Sequence, residues 1–152
     1  MWNRAVIMLI LLLVAATAQA GETYGPYRAE VVRVIDGDTV EVAVHLWPGL
    51  AQQISLRLDG VNTPEKRGAP LCERIVAERA EAFTKRFLRL GGEVTVTGVR
   101  LGKYAGRVLG RLAVDGKDLG DALLAAGLAR PYAGGKRGPW CDDTERAGPH
   151  AN

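Results

Sequence analysis

The stretch Arg57-Leu58-Asp59-Gly60-Val61-Asn62-Thr63-Pro64-Glu65 places a permanent cation and a carboxylate a few residues apart. An arginine fork can hold an anion, and a carboxylate within reach of that anion can take a proton. Several other catalytic devices are excluded by the chain itself. Ser55 is its only serine and sits in no G-x-S-x-G elbow, and His45 and His150 stand at no zinc-like spacing from the cysteines. There is no P-loop and no G-x-G-x-x-G after a strand. What remains is carboxylates plus arginines.

The elements around this stretch decide where its groups point. Ile54, Leu56 and Leu58 alternate with Ser55, Arg57 and Asp59, so a strand buries the first set and turns Arg57 away from the core. Gly60 and Pro64 bracket a loop that holds Glu65 near Arg57. Upstream, residues 29–35 and the alternation of Val40, Val42, Val44 and Leu46 predict two strands joined at Asp36-Gly37-Asp38. There Gly37 is expected to supply a positive φ and Asp36 to bond its own backbone, so one aspartate is explained by the turn. Residues 53–59 complete a three-stranded meander.

After Pro70 the period lengthens: Val76, Ala80, Phe83, Phe87 and Leu90 form one apolar stripe of a helix ending at Gly91-Gly92, with Glu81 and Lys85 paired on its solvent side. Those aromatics read as core. Strands around 93–97 and 107–114 follow, then a second helix with Asp118 as N-cap and Leu119, Ala122, Leu123 and Ala126 as its buried stripe. Gly127 is placed to cap it in the left-handed region, with Leu128 folding back. This order predicts an α+β, mainly β fold: an OB-type five-stranded barrel with two packed helices, whose concave face suits oligonucleotides.

Arg4, an apolar run over 5–16 and Ala18-Gln19-Ala20 read as a signal peptide over residues 1–20, cut after Ala20; the run is too short to favour a membrane span. The roughly 130 residues that remain suit one domain with a hydrophobic core, expected over 21–141, and 142–152 read as a disordered tail. The expected location is secreted or periplasmic, free of the membrane after cleavage, with a monomer favoured. In an oxidising compartment Cys72 and Cys141 are candidates for a disulfide, which in the chain-entropy model stabilises by roughly 4 kcal/mol; two unpaired thiols are the alternative, since sequence does not show that they meet. A net charge of +3 and a pI of about 9.1 are mild for a nucleic-acid binder and name no partner.

Asp36-Gly37-Asp38-Thr39, Arg57, Asn62-Thr63-Pro64-Glu65 and Lys103-Tyr104-Ala105-Gly106-Arg107 together resemble the staphylococcal nuclease (thermonuclease) family. The motifs stand in the family's order, from about residue 27 to 132, and the interval from Arg57 to Glu65 fits. The resemblance implies an OB-fold, calcium-dependent phosphodiesterase, an endonuclease that cuts DNA and RNA to leave 3′-phosphates. It implies that Asp38 ligates Ca2+, that Asn62 occupies the second ligand position and that Thr63 offers its backbone carbonyl. It further implies Arg57 and Arg107 as the phosphate-binding arginines, Glu65 as general base, and Tyr104 and Tyr132 as the lining of the nucleotide site. These roles are physically reasonable, because guanidinium forks match the equatorial oxygens of a phosphodiester transition state and a hard cation takes oxygen ligands.

Two departures from the family bear on this. An amide at Asn62 stands where aspartate is usual, which removes one anionic ligand and should lower calcium affinity. Ala105 interrupts a usual Tyr-Gly-Arg, so the aim of Arg107 depends on the loop absorbing one residue. The alternative reading is therefore a catalytically weak or inactive OB-type module that binds nucleic acid or another polyanion. A third, a structural domain of the envelope, has no positive feature in the sequence.

Overall fold

The computed structural model describes residues 22–141; the expected signal peptide (1–20) and tail (142–152) lie outside the described residues. The strands are β1 (Tyr27–Asp36), β2 (Thr39–Trp47), β3 (Leu50–Leu58), β4 (Val61–Asn62), β5 (Glu93–Leu101), β6 (Arg107–Val114), β7 (Lys117–Asp118) and β8 (Arg130–Pro131). The helices are α1 (Leu71–Phe87), between β4 and β5, and α2 (Leu119–Ala125), between β7 and β8. No helix among the described residues is long and apolar enough to cross a membrane.

Antiparallel neighbours run β3-β2-β1-β5-β6, and a parallel seam between β3 and β6 joins the two ends. The result is a closed five-stranded barrel of mixed strands with two helices, the OB-type architecture. Its interior is filled by alternating residues of every strand: Ala29 and Val31, Val40 and Val42, Leu56 and Leu58, Val94 and Val96, Val108 and Leu112 are all buried. Leu119 and Leu123 of α2 and Ala80 of α1 close the same core.

Helix α1 determines where the β1–β2 turn sits. Thr84 is fully buried and its hydroxyl donates to the Gly37 carbonyl at 2.7 Å. A Cβ on Gly37 would meet the Ala80 Cβ at 2.8 Å and the Thr63 side chain at 2.9 Å. Gly37 is therefore required for close approach and not for a positive φ, which it does not have. The sequence-based reason for this glycine is corrected accordingly: helix and loop press on the turn from two sides, and no side chain fits between them.

Two other expectations need correction. Helix α1 ends at Phe87, and Leu88 turns extended and is buried at 1%, while Leu90 is 72% exposed. Once the chain leaves helical geometry the three-residue step from Phe87 to Leu90 no longer defines a face, and Leu88 enters the core in its place. In α2, Leu119 and Leu123 are buried but Ala126 is exposed, because the helix stops one residue before it. Gly127 is left-handed at φ 67° and the Leu128 amide donates back to the Leu123 carbonyl at 2.9 Å, the expected C-terminal cap. Asp118 caps the other end, its Oδ1 accepting from the Asp121 amide at 2.9 Å.

Cys72, in the first turn of α1, is joined to Cys141 across 69 residues. Cys141 is buried, so the segment after β8 is fixed to the body of the domain at its far end.

Candidate active site

The site begins at the turn that α1 holds in place. Asp36 Oδ1 accepts from the Asp38 amide at 3.1 Å, which fixes the turn and aims the Asp38 side chain inward. Asp38 is 2% exposed. Its Oδ1 accepts from Arg57 Nη1 at 2.5 Å and from the Thr39 hydroxyl at 3.2 Å, and its Oδ2 accepts from the Thr63 amide at 2.8 Å. The second prong of the arginine, Nη2, donates to Asn62 Oδ1 at 3.1 Å. Register explains the meeting: Arg57 of β3 lies opposite Thr39 of β2, and the Leu58 amide donates to the Asp38 carbonyl at 2.8 Å. Arg57 does leave the apolar core, as alternation requires, but its side chain is only 12% exposed because the turn and the β4 loop wrap around it.

Burial pushes the Asp38 carboxyl above the usual carboxylate range, and the neighbouring Asp36 adds to this, against the pull of Arg57 and the Thr63 amide. A carboxylate kept in such a place needs a cation beside it. The side-chain oxygens of Asp38 and Asn62 accept from the two prongs of one guanidinium, so both face a place that a positive charge favours. These are hard oxygen donors of the kind that suit calcium, which therefore fits in donor type, but only one of them is anionic and Arg57 already bridges them. Among the described residues no group of three or more His, Cys, Asp or Glu side chains is placed to hold a metal.

Beside this cluster lies a groove of about 860 Å³ whose wall includes Arg57, Lys103, Tyr104, Arg107, Tyr132 and Arg137. Arg107 reaches it from the first residue of β6, which pairs with Ser55 in the parallel seam. The extra residue Ala105 is taken up in a closed loop: the Gly102 amide donates to the Arg107 carbonyl at 3.1 Å, the Arg107 amide to the Tyr104 carbonyl at 3.3 Å, and Gly106 turns left-handed at φ 76°. The guanidinium of Arg107 lies 5.9 Å from the Tyr104 ring centroid. Arg111, on the same strand, is turned to Asp118 and Asp121 at 3.2 and 2.8 Å and takes no part in the groove.

Tyr132 is delivered by β8, whose short ladder pairs Val61 with Pro131 and Asn62 with Arg130, and its amide donates to the Gly60 carbonyl at 2.9 Å. Glu65 is about half exposed; its amide donates to Glu73 Oε1 at 3.0 Å, and its carboxylate is ion-paired with Arg137. The structure thus brings Arg57, Arg107, Tyr104 and Tyr132 to one groove, sets Asp38, Asn62 and Thr63 directly behind Arg57, and ties Glu65 to the groove wall through Arg137. A separate cleft of about 570 Å³ near the end of α1, bordered by Arg86, Arg89, Asp115 and Lys117, contains none of the residues singled out from sequence.

Two groove residues received no role from the sequence. Lys103 stood inside a quoted motif without one, and Arg137 lay in a glycine-rich polar stretch that carries no periodic signal. The signal that pointed to Arg137 was Cys141, four residues on, because a bridge to Cys72 forces that stretch back over the domain.

Comparison with known proteins agrees with this geometry. Residues 55–147 match the family model described as Staphylococcal nuclease homologue. An uncharacterized endonuclease of Escherichia coli is 30% identical over 130 residues, covering 85% of this chain and 74% of that protein. Protein ParB of Escherichia coli is 42% identical over 66 residues, which is 43% of this chain and 32% of ParB, so the match spans about a third of that relative. On the family model, the extended match to the endonuclease and the closed barrel that carries the site, the chain belongs to the staphylococcal nuclease family.

Proposed function

We propose that this protein is an endonuclease that hydrolyses phosphodiester bonds of DNA or RNA and leaves 3′-phosphates. The observation that carries the reading is the convergence of Arg57 and Arg107 on one groove, with the Glu65 carboxylate bound to its wall. A phosphodiester seated between the two guanidinium groups has its non-bridging oxygens held before reaction, and the charge that grows on them in the transition state is met by donors already in place. Glu65 takes the proton of an attacking water; the new P–O bond forms as the bond to the 5′ oxygen breaks, and that oxygen leaves as a hydroxyl with a proton drawn from solvent, to which Glu65 later returns its own. Lys103 adds positive charge along the strand, and Tyr104 and Tyr132 offer ring faces for bases.

Asp38, Asn62 and the Thr63 carbonyl would hold a calcium ion, which supplies Lewis-acid polarisation of a phosphoryl oxygen when bound. The joined cysteines are consistent with work in an oxidising compartment, secreted or periplasmic. A second reading, a binder that does not cut, is favoured by one observation: Arg57 already bridges Asp38 and Asn62, the two side chains that would hold a metal.

The deciding experiment follows cleavage of denatured DNA with calcium and with chelator, for the natural chain and for Glu65→Gln and Asn62→Asp. Metal-dependent cutting that Glu65→Gln abolishes supports the nuclease. Cutting by Asn62→Asp alone identifies the natural chain as a binder on a nuclease frame.

A further inference from the structure

Residues 133–141 form a strap without helix or strand that follows β8, lends Gly134, Gly135 and Arg137 to the groove wall and returns to the domain at Cys141. Its near end is held by the Tyr132 hydroxyl donating to the Gly135 carbonyl at 2.8 Å. Its far end is held by Arg130, which donates to the Pro139 carbonyl at 2.8 Å and lies 4.1 Å from the Trp140 ring centroid, and by the bond from Cys141 to Cys72. Between these anchors Arg137 faces inward: it pairs with Glu65, sits 5.8 Å from the Tyr132 ring centroid and forms part of the groove wall.

We infer that Arg137 is a third phosphate-gripping arginine of the groove, and that the Cys72–Cys141 bridge keeps it there by tethering the strap. The inference rests on the nucleic-acid reading of the groove given above. Three features favour it. A guanidinium is the side chain best matched to a phosphodiester, and this one shares a cavity with Arg57 and Arg107. Its partner Glu65 is itself about half exposed, so a phosphate entering the groove can compete for the same fork. An irregular, exposed strap has little order of its own, so the position of Arg137 depends on the anchors, and freeing one end of a short loop enlarges the space its side chain explores.

The test is the salt dependence of binding to a short labelled single strand, kept uncut by chelator. Each phosphate contact contributes about 0.7 to the slope of log affinity against log salt for single strands. Arg137→Gln is expected to lower the slope by about that amount and to weaken low-salt binding by roughly three- to tenfold, while Arg137→Lys keeps the slope. Arg111→Gln, further along β6 and outside the groove, where the residue is paired with Asp118 and Asp121, changes neither. A dithiol reductant gives two electrons and two protons to the Sγ–Sγ bond, which becomes two thiols, while the reagent itself is oxidised to a cyclic disulfide. The reduced protein is expected to show the slope of Arg137→Gln, with no further loss when reduction and substitution are combined. Trp140→Ala, which loosens the strap with the bridge intact, lowers the slope part of the way and serves if reduction unfolds the chain.

An unchanged slope in Arg137→Gln overturns the third contact. A full slope in both the reduced protein and Trp140→Ala overturns the tether. If Arg57→Gln and Arg107→Gln also leave the slope unchanged, the nucleic-acid reading of the groove has failed; if they lower it and Arg137→Gln does not, only the present inference has.

Discussion

Arg107 and Arg111 stand four residues apart on β6, and their surroundings are opposite. Arg111 faces two carboxylates, Asp118 and Asp121, at the junction of β7 and α2. Arg107 faces the Tyr104 ring and an open groove that also holds Arg57, Lys103 and Arg137. At the first place charge is matched within the chain and fastens a helix cap. At the second, Asp38 and Glu65 are outnumbered by the cations around them, so the groove keeps a positive field for something that arrives from outside. The same residue type is a brace or a receptor according to whether its counter-charge is built in.

The largest expected effect tests the receptor end. Glu65→Gln removes the proposed base and leaves its size, and cleavage of denatured DNA should fall by about 10²- to 10⁴-fold with the melting temperature unchanged; a fall of less than tenfold would assign the base elsewhere. Arg107→Gln should cost about 10²- to 10³-fold in cleavage, while Arg111→Gln leaves cleavage within about twofold. Equal losses in the two variants would erase the distinction drawn between them.

Stability keeps the order. Gly37→Ala forces a methyl group against Ala80 and Thr63 and should destabilise by about 1–3 kcal/mol in urea unfolding, shifting Asp38 with the turn. Arg111→Gln removes exposed pairs and should cost at most about 1 kcal/mol.

The smallest effect comes from a second braced site, Glu81 between Lys66 and Lys85. Burial works to raise the Glu81 carboxyl, but bonds to both lysines outweigh it and hold it below its ordinary value of 4.5. The stabilisation this represents is present above pH 4.5 and is lost as pH falls through the lowered value, so the roughly 0.5 kcal/mol separating wild type from Glu81→Gln should vanish in acid. Asp38 carries the opposite sign: its raised carboxyl favours the fold in acid, and that contribution fades as pH rises from the ordinary carboxylate value through the raised one. Unfolding measured from pH 3 to 7 on the natural chain, Glu81→Gln and Asp38→Asn separates the two sites.

Much of the barrel was legible because alternation along a strand is a local signal. Leu56 and Leu58 are buried and Arg57 leaves the core as that pattern requires, and Asp118 caps α2 where capping chemistry placed it. The motif spacing also indicated which polar residues gather. What failed depended on partners distant in sequence. Leu88 replaces Leu90 because the helix stops early, and Gly37 is small because Ala80 and Thr63 crowd it, neither of which periodicity reports. Arg137 escaped notice for the same reason, since its place follows from a bridge to residue 72 and not from its neighbours.

The parallel seam has a kinetic consequence. Ser55 meets Arg107 and Leu58 meets Gly110 only after α1 and β5 have been laid between them, which makes this pairing the long-range contact that completes the barrel. Arg57 belongs to one side of the seam and Arg107 to the other. A chain with the seam still open has both arginines and no groove where they meet. The groove wall that both arginines share therefore comes into being only when the barrel shuts.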